Sequence, residues 1–179
     1  MRHVTEAGLD LIKRFEGFSP KIYICPAGYP TIGYGHVVLP HEREQFAAGI
    51  TQAEATELLR NDVGIAERAV LRLISVSLTD GQFDALVSFT FNLGAGALQR
   101  SMLRRKVNHG EHESVPAELM KWVWAAGKRL PGLIRRRRAE GSAYSLGKHV
   151  GAEVRKENGY VPIACCIVRP FAPRMQRAR

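Results

Sequence analysis

The residue types that could carry a reaction gather between Phe15 and His36: a carboxyl at Glu16, a thiol at Cys25 and a hydroxyl at Thr31. A carboxyl group kept partly protonated near neutral pH can donate a proton to a leaving oxygen, which is what glycosidic cleavage asks of its general acid. Glu16 follows Leu9 by seven residues and Ile12 by four, at the edge of an apolar stripe, where burial would raise its pKa. The plainer reading of the same position is a solvated glutamate closing a helix. Thr31 offers either a hydroxyl that donates and accepts or a β-branched side chain suited to a strand. Cys25 has no His at metal-ligand spacing, and the glycines at Gly33 and Gly35 do not complete a dinucleotide fingerprint. No metal or organic cofactor is expected.

These residues need elements to hold them. Gly8, Leu9, Leu11, Ile12 and Phe15 recur at helical spacing, so residues 5 to 16 read as an amphipathic helix opened by a Thr5 cap. From Ile22 to His36, Val-, Ile-, Tyr- and Thr-type residues alternate with Gly and Pro, which predicts two or three short antiparallel strands with tight turns. After an irregular stretch to Gly49, Thr51-Gln52-Ala53-Glu54 is a capping box, and a stripe from Ala55 to Leu73 predicts a long helix to about Ile74. Thr79 opens another helix whose stripe from Phe83 to Phe91 is apolar nearly all round, which belongs in a core. Further helices are expected at 96–108, 114–125 and 131–146, with Trp122 and Trp124 facing different ways, one into the core and one toward a sugar groove. The run Arg135 to Arg138 splays round a helix axis. It reads either as a solvated basic surface or as an attraction for the acidic groups of a partner.

Glu16-Gly17, Lys21-Ile22-Tyr23, Gly28-Tyr29 and Thr31-Ile32-Gly33-Tyr34-Gly35-His36 together resemble the signature of the phage-type lysozymes, or endolysins, of glycoside hydrolase family 24. The family's Glu, eight residues, Asp or Cys, five residues, Thr is matched by Glu16, Cys25 and Thr31. The likeness continues through Phe91-Asn92-Leu93-Gly94, Ser101, Ala126-Gly127-Lys128 and Leu130 to Leu133, and covers roughly residues 5 to 147. It implies an α+β, mainly helical, lysozyme-like fold in two lobes. A catalytic domain of 1–147 would hold a β lobe at about 17–50, a long connecting helix, and a helical lobe at about 75–147 joined by the N-terminal helix. Residues 148–179 would form a basic extension. The resemblance also implies a His36–Asp62 pair pinning the β lobe to the connecting helix, against the alternative of two separately solvated side chains, and substrate contacts at Phe91 and Ser101.

The implied activity is endolysin, or muramidase, hydrolysis of the β-1,4 bond between N-acetylmuramic acid and N-acetylglucosamine in bacterial peptidoglycan, for host cell lysis. Glu16 would act as acid while Cys25 and Thr31 position a water, giving inversion. Direct attack by Cys25, giving retention, stays open, because a free thiol of pKa about 8.5 is mostly neutral where an Asp would be ionised. The alternatives are a catalytically weak peptidoglycan-binding module, a membrane-active basic antibacterial protein, and a lytic transglycosylase.

Composition bounds the partners. The 179 residues carry 26 Lys and Arg against 17 Asp and Glu, a formal +9, which favours an anionic partner. The arginine run lacks interleaved aromatics, so nucleic acid is not expected. The extension, with Tyr160 to Val168 between basic ends, reads either as engaging an anionic outer-membrane surface or as a loose tail. Three cysteines, two of them the adjacent Cys165 and Cys166, make no disulfide framework. No apolar h-region opens the sequence and no run reaches a membrane span of about 18 residues. The expected product is a monomer made in the host cytoplasm, reaching periplasmic peptidoglycan through a partner such as a holin.

Overall fold

The computed structural model describes residues 1–146, so the basic extension, with its expected membrane role and its Cys165 and Cys166, lies outside the described residues. The first helix, α1 (Glu6–Glu16), is capped by Thr5, whose Oγ accepts from the Gly8 amide at 3.2 Å, and is ended by Gly17 at φ 73°. That glycine turns the chain into a three-stranded antiparallel sheet of β1 (Ser19–Ile24), β2 (Pro30–Gly33) and β3 (His36–Val37). Tyr23 pairs with Thr31, Ile24 with Pro30 and Ile32 with His36, while an irregularity in β1 falls between Ser19 and Tyr23. A 3₁₀ turn at Pro40–Glu42 interrupts the irregular stretch that follows.

The long helix α2 (Gln52–Leu73) starts at the expected capping box, with the Thr51 amide donating to Glu54 at 2.7 Å. At about 1.5 Å per residue its 22 residues span about 33 Å. It serves two hydrophobic clusters. Leu58 packs against the sheet's own small cluster of Ile32, Val38 and Phe46, whereas Ala55, Leu59, Val63, Ala66 and Val70 belong to the main helical core. One helix therefore ties sheet to core, because its apolar residues occupy more than one face.

At the centre lies α3 (Asp80–Leu93), capped by Thr79 and buried from Gln82 through Asn92. Packed around it are α1, α2, α4 (Ala95–Arg100) and α7 (Pro131–Leu146). Two expectations need correction. The segment 96–108 is two helices, α4 and α5 (Met102–Asn108), because Ser101 caps the second through the Arg104 amide at 3.0 Å. The expected helix at 114–125 is a 3₁₀ turn, a single short helix α6 (Val115–Leu119), and the start of a hairpin formed by β4 (Trp124–Ala125) and β5 (Lys128–Arg129). The hairpin turns through Ala126 and Gly127, both at positive φ. Trp122 meets Phe89 edge-on at 5.4 Å between ring centroids, while Trp124 is 60% exposed on its strand. Among the described residues no helix is long and apolar enough to cross a membrane.

The larger correction concerns Arg135 to Arg138. Arg135 and Arg138 face solvent, but Arg136 and Arg137 are buried, on a stripe of α7 that runs Leu133, Arg136, Arg137, Glu140, Gly141, Tyr144. This is core spacing, filled in the middle by charge.

Candidate active site

Glu16 closes α1 and its side chain is mostly buried, as its place at the edge of the apolar stripe suggests, but against a cation. Glu16 Oε1 accepts from Arg136 Nη1 at 2.8 Å, with the two side chains only 9% and 2% exposed. The other guanidinium nitrogens of Arg136 are also used: Nε donates to Glu140 Oε1 at 3.1 Å and Nη2 to the Ser88 carbonyl at 3.2 Å. Burial works against the charge on Arg136, but the charges of Glu16 and Glu140 and the hydrogen bonds to them together outweigh it, and its pKa lies above the ordinary arginine value. Glu140, fully buried, accepts a further bond from Ser88 Oγ at 2.8 Å and lies 3.1 Å from Arg137 Nε. Arg137 in turn donates to Asn92 Oδ1 at 2.7 Å and stacks over the Phe89 ring, 5.0 Å from its centroid. Two cations and two anions thus form one buried cluster between α1, α3 and α7. Such a cluster persists only when every charge is matched, since removing one partner typically costs about 3–5 kcal/mol.

Past Gly17 the chain enters the sheet, and the turn between β1 and β2 brings Cys25 and Thr31 together. The Tyr29 carbonyl accepts from both, from the Cys25 amide at 3.0 Å and from Thr31 Oγ1 at 3.0 Å. The turn is closed by the Gly28 amide on the Cys25 carbonyl at 2.7 Å, with Gly28 at φ 84°. Cys25 is a buried thiol, 4% exposed, and Thr31 is fully buried. Because Thr31 spends its proton on Tyr29, what it can offer a water is a lone pair.

The remaining expected residues fall elsewhere. His36 Nδ1 lies 3.1 Å from Asp62 Oδ2 on α2, and its Nε2 lies 3.4 Å from Glu42 Oε2, an acid that sequence reasoning did not name. The hydrogen bond to Asp62 is the main reason the His36 pKa is raised; burial opposes the shift, and the charges of Asp62 and Glu42 add to it. Phe91, 7% exposed, lines a recess of about 480 Å³ between α2 and the α3–α4 junction, together with Asp62, Ile65, Arg68 and Gly94. Ser101 is buried and its hydroxyl is engaged in the cap, donating to the Leu98 carbonyl at 2.7 Å and accepting from Arg104. A larger recess of about 650 Å³, lined by Gln45, Phe46, Ile50, Glu54 and Leu58, holds none of Glu16, Cys25 or Thr31. Among the described residues no three His, Cys, Asp or Glu side chains are grouped to hold a metal ion.

Besides Glu42, sequence reasoning missed the buried cluster: it assigned no role to Ser88 or Glu140, and it read Arg136 and Arg137 as part of a surface run and Asn92 only as part of a motif. A signal was present, for Arg136 and Glu140 stand at i, i+4 within a stripe of core spacing on a helix opened by Pro131.

Known proteins share this chain's sequence pattern and fold. The phage lysozyme family profile matches residues 13–140. Over 142 residues, 77% of this chain and 94% of the relative, the sequence is 44% identical to an endolysin of Acyrthosiphon pisum secondary endosymbiont phage 1. The fold superimposes with a TM-score of 0.70 on the muramidase domain of SpmX from Asticaccaulis excentricus, at 38% identity, covering 80% of this chain and 98% of that one. Against the endolysin from Escherichia coli O157:H7 phage FAHEc1 the TM-score is 0.71 at 35% identity, with 80% and 93% covered. With profile, sequence and fold in agreement over the segment that carries Glu16, the sheet and the charged cluster, this chain belongs to the phage lysozyme family, as a lysozyme-type glycosidase of the endolysin kind that acts on peptidoglycan.

Proposed function

We propose that this chain is a muramidase that lyses bacteria by hydrolysing the β-1,4 bond between N-acetylmuramic acid and N-acetylglucosamine, with Glu16 as the general acid. The observation that carries this reading is the Glu16 carboxyl, nine-tenths buried, fixed at 2.8 Å by Arg136 one residue ahead of the turn into the sheet. A general acid that has given its proton to the departing oxygen becomes a carboxylate, and Arg136 is placed to stabilise that product. The anomeric carbon, which carries oxocarbenium character, is met from the other side by a water held between Cys25 and Thr31. The burial of Cys25 favours this positioning role over direct attack, so the product anomer is inverted.

The test is clearing of a suspension of purified peptidoglycan by wild type, Glu16→Gln and Cys25→Ser, with reducing ends identified chemically and the first-formed anomer followed by NMR. Loss of the acid lowers the rate by about 100- to 10,000-fold and wild type releases reducing N-acetylmuramic acid ends. Clearing that survives Glu16→Gln, or 1,6-anhydro ends, sinks the assignment. A retained anomer returns Cys25 to the nucleophile's role, and full activity in Cys25→Ser removes the thiol from both schemes.

A further inference from the structure

Glu140 is fully buried on α7, one helical turn beyond Arg136, and the mechanism above gives it no task. We propose that Glu140 is a positioning residue for the reaction: it sets the Arg136 guanidinium edge-on to Glu16 and supplies the negative charge against which Glu16 can take up its proton. This rests on Glu16 being the general acid.

The geometric half of the argument is that a guanidinium is a rigid planar fork. Glu140 Oε1 at 3.1 Å from Nε and the Ser88 carbonyl at 3.2 Å from Nη2 hold two of its three nitrogens, which leaves Nη1 for Glu16. Ser88 Oγ, donating to the same Glu140 oxygen at 2.8 Å, fixes that carboxylate in its turn. Without Glu140 no other hydrogen bond among the described residues holds the Nε side, and the fork is free to turn and grip Glu16 with two nitrogens, which would lock it as a carboxylate.

The electrostatic half is a balance of charge. With Glu16 ionised, the cluster holds Arg136 and Arg137 against Glu16 and Glu140 and is neutral. Protonating Glu16 leaves it at one positive charge, and in the absence of Glu140 that would become two. The other groups facing the cluster do not change this balance. On α1, Lys13 pairs with Asp10 at 3.4 Å and Arg14 lies over the Phe15 ring at 5.7 Å. On α3 the near residues Ser88 and Asn92 are uncharged, and Asp84 is bound to Thr5 at the far end of the helix. On α6, Glu118 faces Lys121 and Lys106, at 2.9 and 3.5 Å. On α7, Arg135 and Arg138 are exposed at the surface, and the Tyr144 hydroxyl lies against His112 at 2.7 Å.

The experiment is the pH dependence of kcat/KM for peptidoglycan clearing by the full chain as wild type, Glu140→Gln, Glu140→Asp, Arg137→Gln and the double variant Arg137→Gln with Glu140→Gln, with Glu16→Gln as reference. A general acid must start protonated, so the alkaline limb reports its loss of that proton. Glu140→Gln moves this limb to lower pH by about one unit, about tenfold in rate on the limb itself. Arg137→Gln moves it the other way, the double variant returns it toward wild type, and Glu140→Asp keeps its place while kcat falls. A purely structural Glu140 would lower the rate or the melting temperature and leave the limb where it was, which would overturn the proposal. Should Glu140→Gln fail to fold, an unmoved limb in both Arg137→Gln and the double variant would overturn it equally. Activity remaining in Glu16→Gln would instead overturn the assignment of the acid, a separate failure read from a separate protein.

Discussion

Replacing Asp62 by Asn tests whether the sheet is clipped to α2 by charge, since the change keeps the shape of the side chain and removes its negative charge. His36 Nδ1 lies 3.1 Å from Asp62 Oδ2, with 16% and 22% of the side chains exposed. A hydrogen bond to a charged group contributes about 1.5–3 kcal/mol, and the residual exposure places this one at the lower end, about 1.5 kcal/mol. The His36 pKa is raised in the folded state, chiefly by Asp62. Stabilisation from a raised histidine is fully present below the unfolded value of about 6.5 and is lost as pH rises through the folded value. Asp62→Asn is therefore expected to cost about 1.5 kcal/mol at about pH 5.5, or about 3–6 °C in Tm for a chain of this length, and clearly less at about pH 9, where neutral His36 keeps a hydrogen bond to Asp62 but not the ion pair. Urea and thermal unfolding of both proteins at the two pH values measure this. The contacts of His3 with Glu67 at 3.0 Å and of His109 with Glu111 at 3.8 Å are common to both and cancel in the difference, and Glu42 remains 3.4 Å from His36 in both proteins. An equal cost at both pH values, or a His36 ring whose NMR titration in the wild type falls at the ordinary midpoint, would refute the clip.

Two backbone sites give further tests. A Cβ on Gly8 would fall 2.5 Å from Asp84 Cγ, the side chain that accepts from the Thr5 amide and hydroxyl, so Gly8→Ala drives Asp84 off the cap of α1. The expected loss is about 2 kcal/mol or more by urea unfolding, despite the gain in helix propensity, and a neutral or stabilising result would show that α1 and α3 can separate freely. Ala126 holds φ 48° beside Gly127 at φ 74° in the β4–β5 turn, a pair of positive angles that suits Asn-Gly. Ala126→Asn should stabilise by about 0.5–1 kcal/mol in the same assay with clearing activity unchanged, and destabilisation would contradict the left-handed assignment.

Where sequence reasoning and structure agree, the determinant is local. Thr5, Thr51 and Thr79 each cap a helix through their own side chains, and the first residue of each following helix is fixed by that bond. The alternation around Gly28, Gly33 and Gly35 similarly needs only near neighbours to become three strands. At Ser101 and in the 114–129 segment the determinant was also local, but a serine within a helical stripe and an Ala-Gly turn between two-residue strands are weak signals beside apolar periodicity. The buried cluster is a different case. On α7 the residues at core spacing are Leu133, Arg136, Arg137, Glu140 and Tyr144, so a reading that counts apolar residues finds little amphipathic pattern and assigns the arginines to solvent. Their burial is decided by acceptors on other helices: Ser88 and Asn92 on α3, and Glu16, which is 120 residues from Arg136. Neither half explains itself alone. A carboxylate at the edge of an apolar stripe needs a counter-charge if it is to be buried, and two arginines at core spacing need carboxylates. Each anomaly is the partner the other requires, and Glu140, one turn from Arg136 and itself on the core stripe, joins the two.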